Sequence, residues 1–152
     1  MPSRLPCPRS NTVASLALAA ATFCASVSSA SAEDAKPGTI NLELNALQDS
    51  DKGCRIAFVV ENGLGHDIGK AAYEIALFDK EGMVERLMVL DFQELPAAKT
   101  KVRRFDLADA KCGAIGRVLV NDASACDGDG IEAGACIARL NPTTRSSVAF
   151  GK

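Results

Sequence analysis

Tyr73-Glu74-Ile75-Ala76-Leu77-Phe78-Asp79-Lys80-Glu81-Gly82-Met83-Val84-Glu85-Arg86-Leu87-Met88-Val89-Leu90-Asp91-Phe92 is the stretch that decides the fold. In its first part Tyr73, Ile75 and Leu77 recur with a period of two, the repeat of a strand rather than a helix. Asp79 to Gly82 reads as a short hairpin turn, with Gly82 able to take a positive φ. Met83 to Phe92 is apolar on both faces, which predicts a strand that lies centrally or is covered twice.

Working outward, the same period governs the neighbouring segments. Ile40, Leu42 and Leu44 alternate with Asn41, Glu43 and Asn45, and Cys54, Ile56, Phe58 and Val60 share one face after the turn Asp49 to Gly53. The Gly-rich segment Asn62 to Gly69 interrupts the pattern, and Leu95-Pro96-Ala97-Ala98 makes another turn. Val102 and Phe105 in the fifth strand, Lys99 to Leu107, are three steps apart and cannot share a face, so a bulge is predicted at Arg103-Arg104. Ile115 to Val120 is the sixth strand. Glu132 to Leu140 suits a short helix ended by Asn141-Pro142, and Ser147 to Phe150 a last edge strand.

Six or seven short strands at roughly ten-residue spacing predict one all-β domain, an antiparallel immunoglobulin-like β-sandwich with a short C-terminal helix and loop segment. A small barrel has the same periodicity. A sandwich is favoured because the apolar faces fill a shared core. With no Trp and one Tyr, aliphatic side chains and Phe must do most of the filling.

Glu61-Asn62, the run Tyr73 to Gly82, then Leu95-Pro96-Ala97-Ala98-Lys99-Thr100 and Phe105 resemble the FxLYD type of immunoglobulin-like domain. In that family a strand ending in Asn precedes a strand–Asp-x-x-Gly–strand hairpin, and a Leu-Pro-x-Gly-like turn follows. Here Ala98 stands where Gly is usual. Cys54-Arg55, Ile115 to Asp122 and the pair Cys126 and Cys136 also resemble small exported proteins of alphaproteobacteria that go by the description Tat pathway signal sequence domain proteins. That resemblance implies twin-arginine export, yet no Arg-Arg pair is present near the N-terminus. Neither resemblance implies a catalytic residue.

The first 32 residues carry the zones of a cleavable signal peptide. Arg4 and Arg9 precede an apolar run from Val13 to Val27, and Ala30-Ser31-Ala32 is a small-residue cleavage site. The run is shorter than the roughly 20 residues that span a bilayer, which argues against an anchor. Cys24 follows Phe23, not the small residue of a lipobox. Cleavage near Ala32 leaves a polar leader at 33–38 and a sandwich domain at 39–152, with a periplasmic or secreted address. The whole chain has 17 Lys and Arg against 19 Asp and Glu, and removal of two arginines makes it more acidic, which disfavours nucleic acid as a partner. The mature chain contains no transmembrane segment.

Cys54, Cys112, Cys126 and Cys136 remain after cleavage, an even number that predicts disulfides with three possible pairings. Cys54 opens the second strand and Cys112 precedes the sixth, so Cys54–Cys112 is the preferred long bridge and Cys126–Cys136 closes the late loop at 126–136. No Cys-x-x-Cys and a single histidine speak against zinc or thiol redox chemistry. His66 beside Asp67 invites a general base, but sequence neighbours do not form a dyad by themselves and no Gly-x-Ser-x-Gly is present. Asp127, Asp129 and Glu132 hint at calcium, yet Ile131 and Ala138 stand where an EF-hand needs oxygen ligands. Lys99, Lys101 and Arg103 form a basic stripe suited to an anionic partner, or to protecting a strand edge. Asp106, Asp109, Glu81 and Glu85 read as surface charges. The expectation is therefore a non-enzymatic periplasmic interaction module that binds another envelope protein through a loop end or strand edge. It has no cofactor, metal or catalytic residue. The alternative is a periplasmic protein binding a small ligand or ion through the Asn62–Lys70 or Cys126–Cys136 loop.

Overall fold

The computed structural model describes residues 38–152; the signal peptide assigned to 1–32 and most of the polar leader lie outside the described residues. Eight strands form two four-stranded sheets packed as a β-sandwich. They are β1 (Ile40–Ser50), β2 (Gly53–Asn62), β3 (Ile68–Asp79), β4 (Val84–Leu95), β5 (Thr100–Ala108), β6 (Ile115–Asp127), β7 (Leu140–Thr144) and β8 (Ala149–Gly151). One sheet has the order β5-β2-β1-β7 and the other β4-β3-β6-β8.

Among themselves the first six strands pair antiparallel and pass between the sheets in Greek-key fashion: two hairpins, β1–β2 and β3–β4, then β5 against β2 and β6 against β3. The late strands depart from the antiparallel expectation, because β7 adds parallel to β1 and β8 parallel to β6. The predicted helix shrinks to one turn, α1 (Ala135–Ala138), started by Gly134 at φ 75°. Leu140, expected as the last residue of that helix, and Asn141-Pro142, expected to end it, instead begin β7. Proline is acceptable there because an edge strand leaves one side of its backbone without a ladder.

Alternation places Leu42, Leu44, Ile56, Phe58 and Val60 on the inner face of one sheet, and Tyr73, Ile75, Leu77, Leu90 and Phe92 on the other, all buried. Phe58 lies at the centre, with ring centroids 5.5 Å from Phe92, 6.2 Å from Phe105 and 5.6 Å from Phe150. Tyr73 meets Phe92 edge-on at 5.3 Å and donates its hydroxyl hydrogen bond to the Cys136 carbonyl. Burial pushes the Tyr73 hydroxyl pKa upward.

Two expectations about individual strands are corrected. No bulge occurs at Arg103-Arg104, since β5 pairs with β2 in unbroken register from Thr100 opposite Glu61 to Ala108 opposite Gly53. Phe105 and Leu107 face inward, and Val102 is left 60% exposed. The inward parity also carries Lys101 and Arg103, which an edge strand tolerates because their charged heads reach the rim of the sandwich, where groups of β4 receive them. Nor is β4 central or covered twice. It ends its sheet, with Met88, Leu90 and Phe92 turned inward and its other apolar face open.

Candidate interaction surface

The open face of the β4-β3-β6-β8 sheet follows from register. Leu87 of β4 and Leu119 of β6 both pair with Ala76 of β3, so the three side chains lie in one row on the outer side. Ala76 is small and sits 4% exposed in the valley between them. Val89 pairs with Glu74 in the row on one side, and Val84 with Phe78 in the row on the other. Leu87 is 54% exposed, Val89 56%, Val84 60%, and Met83 at the hairpin 67%. A contiguous apolar patch edged by polar groups is the usual sign of a contact surface, whereas scattered single apolar residues are not. Its border is formed by Glu85, Asp91, Glu74 hydrogen-bonded to Asn121, and Arg117, whose guanidinium stands 5.4 Å over the Phe78 ring.

Arginines tie β4 to β5 across the edge of the sandwich. Arg103 donates from Nε to the Phe92 carbonyl at 2.7 Å and from Nη2 to the Glu94 carbonyl at 3.2 Å. Arg86 of β4 donates to the Ala108 carbonyl of β5 at 2.8 Å. Lys101 forms an ion pair with Glu94, and its hydrogen bond holds that carboxyl below the ordinary range. Two members of the predicted basic stripe therefore serve the joint between the sheets, and only Lys99 is exposed outside it. Asp106 pairs with Arg55 at 2.7 Å, which lowers its pKa likewise.

At one end of the sandwich the structure brings together the two loops that the sequence singled out separately. A Cβ on Gly128 would lie 2.3 Å from the Asp67 carbonyl, a backbone atom that cannot give way, and Gly130, beside the His66 ring, holds φ 77°, so both positions favour glycine. Buried Asn62 fixes this end. Its amide donates to the carbonyls of His66 at 2.8 Å and Leu95 at 2.7 Å, while its Oδ1 accepts from Leu64 N–H at 3.0 Å. Sequence reading marked Asn62 only as a strand end; full burial of its amide between two turns gives it a structural task.

Here a shallow cleft of about 550 Å³ is lined by Asp67, Gly69, Asp127, Gly128 and Asp129, and a second of about 220 Å³ includes Leu64, His66, Ile131 and Glu132. His66 is exposed, and Asp67 Oδ1 accepts from Ala97 N–H at 2.7 Å, so that carboxylate is engaged by the next turn. Among the described residues, no three His, Cys, Asp or Glu side chains converge as a metal site.

The cysteines pair as Cys54–Cys112 and Cys126–Cys136, with Cα separations of 4.9 and 5.8 Å. The first bridge ties β2 to the 3-10 turn Cys112–Ala114 ahead of β6, linking the two sheets. The second anchors α1 to the end of β6. Such bridges persist in an oxidising compartment. No helix among the described residues is long and apolar enough to cross a membrane.

These features define a class: a small β-sandwich closed by two disulfides, with one sheet face left apolar and open. No family model matches the chain, and no curated protein or solved structure does either.

Proposed function

We propose that the chain is an exported, non-enzymatic interaction module that works in the bacterial periplasm after cleavage near Ala32 and binds another envelope protein through the β4 side of its second sheet. One observation carries this reading. The sequence of β4 is apolar on both faces, as in a strand covered twice, yet the fold covers only one of them. Leaving Leu87, Val89 and Val84 in water forfeits stabilisation of about 25 cal/mol for each Å² of apolar area that a partner would bury. The rigid, disulfide-tied scaffold beneath suits a surface that binds without rearranging.

Native mass spectrometry of the protein isolated from its own envelope tests this. A co-purifying protein that is retained by wild type and lost from Leu87→Asp and Val89→Asp supports the module. A bound small molecule or ion, retained by both variants, would move the reading to the loop end and its two clefts.

A further inference from the structure

We infer that the open edge of β4 receives an extended segment of the partner protein, added as a ninth strand, whose outward side chains run basic, apolar, apolar, basic at alternate positions. This rests on the interaction reading above and specifies the chemistry of what binds.

The backbone provides the first argument. One side of β4 pairs with β3, and no backbone partner lies on its other side among the described residues. The remaining sheet ends are blunted in familiar ways. β8 has only 3 residues, β7 carries Pro142, and β5 carries the charged side chains Lys101, Arg103, Arg104 and Asp106. On the side away from β3, Arg103 occupies the carbonyls of Phe92 and Glu94, whereas Arg86 reaches Ala108 through its side chain and leaves its own backbone open, so the free length runs from Glu85 to Asp91. That span lies within the ordinary strand range of about 3–10 residues, enough for a peptide to pair with.

Charge provides the second. The outward Leu87 and Val89 are followed by Asp91 and preceded by exposed Glu85, which stands at the register irregularity between Arg86 and Val84, and Glu74 lies beside Val89. Nearby cations are already engaged, Arg86 on the Ala108 carbonyl and Arg117 on the Phe78 ring. An incoming strand therefore meets an apolar centre with acidic flanks. A second copy of this chain does not match it. Antiparallel pairing of two β4 strands with Leu87 opposite Val89 sets Glu85 opposite Asp91, and like charges directly opposite are destabilising. A shift of one residue pair in either direction sets a carboxylate against Leu87 or Val89. Lysine or arginine at the flanking positions satisfies both acids in the register that also joins the apolar pairs.

Fluorescence polarisation with labelled nonapeptides tests the inference on the mature, disulfide-intact chain. One peptide alternates threonine with lysine, valine, leucine and lysine; the other has glutamate in place of both lysines. The lysine peptide is expected to bind at least about tenfold more tightly. Glu85→Lys combined with Asp91→Asn should remove that preference while circular dichroism stays unchanged. Equal binding of both peptides would overturn the charge pattern. Failure of both, with a photo-crosslinker at position 87 still capturing the co-purifying envelope protein, overturns strand addition and leaves the interaction reading standing. Crosslinking of position 87 to a second copy of the chain, with a concentration-dependent dimer in sedimentation, overturns it in favour of self-association. If neither peptide binds and position 87 captures nothing, the inference and the reading beneath it fail together.

Discussion

Arg103 donates from Nε to the carbonyl oxygen of Phe92 at 2.7 Å, joining the edge strand of one sheet to the edge strand of the other. Hydrogen bonds from charged donors contribute about 1.5–3 kcal/mol when the acceptor is withdrawn from water. Arg103→Leu keeps an inward apolar stem but leaves the Phe92 and Glu94 carbonyls without this donor. It should cost about 2 kcal/mol, read as a lower denaturant midpoint at unchanged slope. Lys101→Ala, which removes only an exposed ion pair, should cost less than Arg103→Leu and lose that effect in high salt.

The two disulfides should be unequal. Their sequence separations are 58 and 10 residues, and on the loop-entropy view the bridges stabilise by about 4 and about 3 kcal/mol respectively. Replacing Cys54 and Cys112 together by Ala should therefore lower the unfolding free energy more than replacing Cys126 and Cys136. Equal losses in urea melts would show that the long loop is already constrained in the unfolded chain. Peptide mapping without reductant should recover both pairs.

How far the fold was legible depends on how regular each strand is. In β2 the alternation of Cys54, Ile56, Phe58 and Val60 is uninterrupted, and all four are buried. In β6 the pattern was readable only to Val120, because register shifts near Asn121 and Asp122 and between Ala123 and Ala125 break the alternation, although the strand runs to Asp127. For β5 the mistake lay in assuming that Val102 must be inside. Parity alone cannot show that an inward Arg103 finds carbonyls on a different sheet. The open face was half visible: the apolar pattern of Met83 to Phe92 indicated two buried faces, and only the sheet order reveals that one has no cover. The meeting of Asp67 with Gly128 belongs to tertiary structure and leaves no local trace.

Acid should weaken the fold in a defined window. Hydrogen bonds from Arg55 to Asp106 and from Lys101 to Glu94 lower both folded pKa values. For Glu43, burial opposes the charge, but hydrogen bonds from Asn45 and Arg145 outweigh it and the net shift is also downward. Depressed folded values mean that the unfolded chain binds more protons in this range. The stabilisation is thus complete above the ordinary carboxylate pKa of about 4 and is lost as pH falls through the lower folded values. Melting temperature should stay nearly flat from about pH 7 to about pH 5 and decline below about pH 4. Arg55→Ala should make that decline shallower. At the alkaline end the raised Tyr73 pKa works the other way, with stability lost as pH climbs past about 10, and Tyr73→Phe should remove that component.

Asn62→Ala should be among the most damaging single polar substitutions. It strips the donors from two turn carbonyls and the acceptor from Leu64 N–H in a fully buried position. Unsatisfied buried polar groups cost about 1–3 kcal/mol, so a loss of about 3 kcal/mol is expected in equilibrium unfolding. Hydrogen exchange should rise at residues 63–67 and 95–98 together, since one side chain holds both turns. A rise confined to one turn would show that the other is held by its own backbone bonds.

The turn after β4 should be improvable at Ala98. Its φ is 54°, in the left-handed region where a Cβ crowds the following carbonyl, and the strain is about 1–2 kcal/mol for an L-residue. In this conformation its N–H donates to the Asn62 carbonyl at 2.8 Å. Glycine takes the same φ without strain but gains freedom in the unfolded chain, an opposing effect of about 0.4–1 kcal/mol. Ala98→Gly should therefore stabilise by about 0.5–1 kcal/mol, a shift measurable in a thermal melt. Gly116→Ala provides the contrast. Its new Cβ would lie 2.5 Å from the Asp79 carbonyl, a backbone atom that cannot step aside, so destabilisation is expected although glycine is normally the weaker strand residue. If Ala98→Gly and Gly116→Ala instead move the melt in the same direction, strain at Ala98 is not what governs its turn.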